Sequence, residues 1–135
     1  MTSQLQMEQS RWLAKINGQI AFLNVSFSAL KHADIGEKIL PQMHRAIVAI
    51  RRALRNADAP ELEAFTCDLE DLVSLLCKGE LWLTTEVRGV LRSSTQALAA
   101  AVAAVENGES GQREIQTVRD QLFSILLVSA VTVKR

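Results

Sequence analysis

The chain carries few groups that could do chemistry. Its imidazoles are His32 and His44, and its thiols are Cys67 and Cys77. Around His44 the stretch HRAIVAIRRALRNADAPELEAFTCDLE gathers charged residues at helical spacing. His44, Val48, Arg51, Arg52 and Arg55 fall on one flank of a predicted helix. Glu63, Cys67, Glu70 and Ser74 fall on one flank of the next. An imidazole is a nucleophile near neutral pH, a guanidinium a fixed cation and a carboxylate a hydrogen-bond acceptor. The thiols offer less. Cys67 and Cys77 lie ten residues apart on one predicted helix, roughly 15 Å along its axis. A disulfide needs Cα atoms within about 7 Å, so both are expected as half-buried free thiols. The Cys and His residues show no metal-ligand spacing, and no cofactor is expected.

Five helices must position these residues: α1 over 5–32, α2 over 37–57, α3 over 60–78, α4 over 85–107 and α5 over 111–133. In α1, Leu13, Ile16, Ile20, Leu23, Phe27 and Leu30 keep a 3, 4, 3, 4, 3 rhythm, with Phe22 widening the stripe. In α2 the inward set is Leu40, Met43, Ile47, Ile50 and Leu54. In α3 it is Leu62, Phe65, Leu69, Leu72 and Leu76. Such spacing puts each set on one face of a 3.6-residue helix. Val87, Leu91, Ser94, Leu98, Ala101 and Val105 line α4; Ile115, Val118, Leu122, Ile125 and Ser129 line α5.

Local signals set the boundaries. Asp34 with Glu37 resembles a capping box for α2, although Pro41 suits a first turn and points to a start nearer Leu40. Asp58 is expected to cap α3, with Pro60 in its first turn. Gly79 stops α3, Thr84 or Thr85 caps α4, and Ser110 opens α5. Gly18 inside α1 suggests close helix packing, and Trp12 suits a core edge. The run ALAAAVAAV suits a close-packed seam. Short connections make sequential helices antiparallel neighbours, so the fold class is all-α: one up-down bundle with an additional C-terminal helix.

Composition narrows function. The chain has 135 residues, 48% of them hydrophobic, and formal net charge zero. One domain with a real core fits that length. No basic excess is present to hold nucleic acid. The N-terminus MTSQLQMEQS is polar and lacks a signal-peptide pattern. The apolar run 122–133 is too short for a membrane span, which needs about 20 residues. A cytoplasmic protein without a membrane partner is expected.

From α2 to the end of α4 the chain resembles the histidine phosphotransfer domain at the N-terminus of the chemotaxis kinase CheA. The family's motif, aromatic-Arg-Ala-Ala-His-Ser/Thr-Ile/Leu-Lys-Gly, matches His44, Arg45, Ala46, Ile47, Val48, Ala49, Ile50, Arg51 and Arg52. Its His-x-Leu/Met-Glu pattern matches Cys67-Asp68-Leu69-Glu70. Its Gly-Glu-Leu-x-Leu-Thr connector is present as Gly79-Glu80-Leu81-Trp82-Leu83-Thr84, and an acidic Gly-containing end to α4 follows at Glu106-Asn107-Gly108-Glu109. The resemblance implies a four-helix phosphotransfer bundle whose partners are a receiver domain or a histidine kinase.

It also implies a degenerate site. Val48 stands at the imidazole position and has no nucleophile. Arg51 stands at the Lys position, and Arg52 replaces a Gly that lets a receiver's loops approach. Glu70 alone keeps the family's residue. The expected product is not an enzyme but a module that docks on a signalling partner and carries no phosphate. Its docking face would comprise His44, Val48, Arg51, Arg52, Arg55, Glu63, Cys67, Glu70 and Ser74. Two alternatives stand beside it. One is a working phosphotransfer protein using His44 or His32. The other is an unrelated helical adaptor that pairs with a second copy through α5, where Phe123, Leu126, Leu127, Val128, Val131 and Val133 lie partly outside the inner stripe.

Overall fold

The computed structural model describes the backbone of residues 4–29 and 33–133, and side chains at residue 7 and over 10–27 and 38–128. Five helices account for it: α1 Gln4–Ala29, α2 Ala33–Asn56, α3 Pro60–Cys77, α4 Thr85–Glu106 and α5 Gln112–Val133. Among the described residues there is no strand. Leu30 and His32 lie outside them.

The apolar stripes meet in one core. Leu13, Ile16, Ile20 and Leu23 of α1 are buried with Met43, Ile47, Ile50 and Leu54 of α2. Leu62, Phe65, Leu69 and Leu72 of α3 close the same core with Leu91, Leu98 and Ala101 of α4. Fully burying each Leu or Phe side chain contributes about 1.5–3 kcal/mol. Trp12 packs at the core edge, and the Lys15 ammonium lies 4.6 Å from its ring centre.

Helix α5 is a structural member rather than an appendage. It packs on both α3 and α4, which touch each other only lightly. Gly111, with φ +78, seats its N-terminus. A Cβ there would come within 2.8 Å of the Ala101 carbonyl oxygen and 2.9 Å of Leu62 Cδ1. That close approach puts the start of α5 level with the start of α3 and the late turns of α4. Helix α5 therefore runs parallel to α3 and antiparallel to α4. Within the ALAAAVAAV run Ala101 and Ala104 are buried, and Ala101 meets the start of α5. Ile115, Val118 and Leu122 are buried, Ile125 is half-buried, and the Ser129 side chain lies outside the described set.

The helix ends correct several expectations. Helix α2 begins at Ala33, so Asp34 is already helical and is no N-cap, and Pro41 lies inside the helix. An interior proline removes one hydrogen bond and costs about 3 kcal/mol. Burial of Leu40, with Ile39 packed on the core, offsets that cost, while Pro41 itself faces solvent.

Asp58 does not cap α3 either. The N-cap is Ala59, with no side-chain bond. Asp58 instead takes φ 58 just past the end of α2. The Asp58 and Ala59 amides donate to the Arg55 and Leu54 carbonyls at 3.2 and 3.1 Å, the double closure that a left-handed residue makes at a helix C-terminus. Gly79 and Gly108 close α3 and α4 in the same way. Thr84 caps α4 as expected, its Oγ1 accepting from the Val87 amide at 3.1 Å. The Ser110 hydroxyl accepts from the Gln112 amide at 3.3 Å, and α5 begins at Gln112, one residue later than its spacing suggested. Gly18 is exposed, and a methyl group there would meet nothing within 4 Å. Close packing is therefore not its reason.

These contacts predict opposite effects at two turns. Gly111→Ala forces a side chain into a filled seat at positive φ and should lower unfolding free energy by about 2–3 kcal/mol. Asp58→Gly relieves a left-handed residue that packs little and should raise it by about 1 kcal/mol. Urea denaturation of the two variants against the parent measures both.

Candidate functional site

Helices α2 and α3 form an antiparallel hairpin whose outer seam holds the expected residues. His44, Val48, Arg51 and Arg55 recur at 4, 3 and 4 on α2; Glu63, Cys67, Glu70 and Ser74 recur at 4, 3 and 4 on α3. Two ion pairs set the register. Arg51 Nε donates to Glu70 Oε1 at 2.6 Å, and Arg55 Nε donates to Glu63 Oε2 at 2.9 Å. With those pairs fixed, Val48 falls one turn further along the seam, level with Glu70 and Ser74. The register sets Val48 and Glu70 on one edge of the hairpin, while Arg52 falls outside the 4, 3, 4 stripe and is exposed.

The two pairs differ in environment. The Arg51 and Glu70 side chains keep only 20% and 24% of their exposure, whereas Arg55 keeps 65%. Glu70 pushes the Arg51 guanidinium further above its ordinary value, chiefly through that hydrogen bond and against the opposing effect of burial. Charge-assisted bonds between half-covered partners are stronger than exposed pairs. Arg51 is therefore committed to Glu70. Arg52 differs again: its side chain is exposed, has no ion pair among the described residues, and leaves its carbonyl to accept from Asn56 Nδ2 at 3.0 Å.

This arrangement restricts the chemistry. A ring at position 48 would meet a Glu70 carboxylate whose Oε1 already accepts from Arg51. Cys67 lies beside Arg51, yet burial pushes its thiol up, with Arg51 opposing that shift and Glu70 and Glu63 adding to it. A thiol held protonated near neutral pH is a poor nucleophile. Cys77 is exposed rather than half-buried, and both cysteines are free. His44 is half-buried at the seam. The residues one turn beyond it are Ile47 and Val48, so no cation follows at the position that would neutralise a phosphoryl group. His32 lies outside the described residues. Among those residues no group of His, Cys, Asp or Glu could hold a metal ion, and no helix is long and apolar enough to cross a membrane.

Sequence spacing passed over a second surface. On the α1–α4 side, Arg88 and Arg92 stand one turn apart with Gly89 beside them, above Phe27 of α1. Three arginine and glycine positions inside one helical repeat were its signal in the sequence. Trp82, in the α3–α4 connector, is 87% exposed.

Family models, curated proteins and solved structures offer no match to this chain.

The seam yields a direct energetic prediction. In a double-mutant cycle, Arg51→Gln and Glu70→Gln should show a coupling of about 1 kcal/mol in chemical unfolding. The same cycle on Arg55 and Glu63 should give a smaller value.

Proposed function

We propose that this protein is a phosphate-free docking module of two-component signalling. Its α2–α3 seam meets a receiver domain or the substrate-docking surface of a histidine kinase. One observation carries the reading: Arg51 occupies Glu70 beside Val48. On this reading Val48 stands where the CheA-type resemblance implies an imidazole, and the carboxylate that would orient the ring accepts from Arg51 instead. Such a face can bind without accepting a group. Exposed Arg52 gives it a free guanidinium suited to an acidic partner surface.

The test is transfer itself. Mixed with an active CheA-like kinase and labelled ATP, or with a phosphorylated receiver, the protein should gain no label. Val48→His alone should stay inert, because the new ring competes with Arg51 for Glu70 and Arg52 crowds the approach. In-line transfer needs reacting atoms about 3–3.5 Å apart. The combined change Val48→His, Arg51→Lys, Arg52→Gly frees Glu70, clears the approach and should recover measurable transfer. Label on the parent at His44, removed by His44→Gln, contradicts the proposal.

A second reading has its own observation. On α5, Phe123 and Leu127 are 58% and 55% exposed one turn apart, an apolar face suited to a second copy of the chain. On that reading the mass in solution rises with concentration, and Phe123→Asp holds it at the monomer value.

A further inference from the structure

The α1–α4 side of the bundle carries a trough of about 580 Å³. It faces away from the α2–α3 seam, because α1 separates α4 from α2 around the bundle. Its α4 wall runs from Thr85 to Gln96, a rise of roughly 16 Å. Asn24 and half-buried Phe27 supply the α1 wall. Two cations, Arg88 and Arg92, line it, and among the described residues no acidic one does. Neither guanidinium has an ion pair among the described residues. In a chain of zero net charge, this is a local positive field over an apolar floor.

Gly89 lines the trough at its outer rim. It sits in the interior of α4, where glycine weakens a helix relative to alanine. A methyl group there would meet nothing within 4 Å, so folding does not require glycine at this position. Glycine in such a place lets another chain come close to the helix backbone.

We propose that this trough binds an acidic amphipathic helix of a partner protein, with carboxylates one turn apart and apolar residues beside them. The four-residue step from Arg88 to Arg92 matches carboxylates at four-residue spacing on a guest helix. The trough is open along its length. A small ligand needs most of its surface covered, which an open trough does not provide. A helix lying along it covers its own apolar face and leaves its polar face in water. This surface works independently of the seam, so the molecule can hold two partners at once.

The probe is a fluorescein-labelled amphipathic peptide of about 14 residues, in which glutamate and leucine each repeat every fourth position. Fluorescence anisotropy should show saturable binding that weakens with added salt. The double variant Arg88→Gln, Arg92→Gln should weaken it about tenfold. Circular dichroism should show that the double variant keeps the fold. Arg52→Gln, on the seam, should leave it unchanged. No saturation up to about 1 mM peptide overturns the proposal. So does equal binding by the double variant, or a loss with Arg52→Gln that places the peptide on α2. Equal binding by a peptide with every leucine replaced by alanine shows ionic attraction without docking, and overturns it too.

Discussion

Arg51 and Glu70 meet at 2.6 Å across the α2–α3 seam, with most of both side chains covered. Taking two charges partly out of water is unfavourable unless each finds its partner. The pair therefore constrains everything around it. It fixes the register of the hairpin, which the buried stripes on the inner face require as well. It decides which side of each helix turns outward, and so which residues a partner meets. It also decides what Glu70 is free to do. With Oε1 held by the guanidinium, only Oε2 is left for another donor.

The rest of the bundle supports that hairpin from behind. Gly111 lets α5 approach Leu62 of α3 and Ala101 of α4, so α3 is held from two sides. Left-handed residues at Asp58, Gly79 and Gly108 end three helices cleanly. A rigid α3 keeps Glu63, Cys67 and Glu70 on one line, and a rigid α4 does the same for Arg88 and Arg92. Rigid elements hold side chains in place better than loops do. Two outward surfaces thus rest on one core.

Much of this was legible in the sequence because apolar periodicity is a direct record of burial. The inward stripes of α2, α3 and α4 are buried as their spacing required, and Arg51 with Glu70 was a pair the spacing already allowed. What periodicity does not encode is which end of a helix a turn residue serves. Asp58 preceding Pro60 reads as a cap for α3, yet backbone closure assigns it to α2. Pro41 reads as a start, but burial of Leu40 outweighs the proline. Gly18 reads as a packing site and proves open to solvent. The α5 seat was hidden because Gly111 is needed for contacts with Leu62 and Ala101, far away in the chain. The trough beside Gly89 was hidden for the same reason: its floor, Phe27, belongs to another helix.

The account depends on Arg51 holding Glu70 in solution, and one measurement reads that bond directly. In a proton–nitrogen correlation spectrum, a guanidinium Nε–H held by a carboxylate exchanges slowly with water and resonates downfield. Arg51 should give such a signal near neutral pH, and it should persist in Val48→His and vanish in Glu70→Gln. An Arg51 signal that exchanges as fast as that of exposed Arg52, or that Val48→His displaces, would contradict the account.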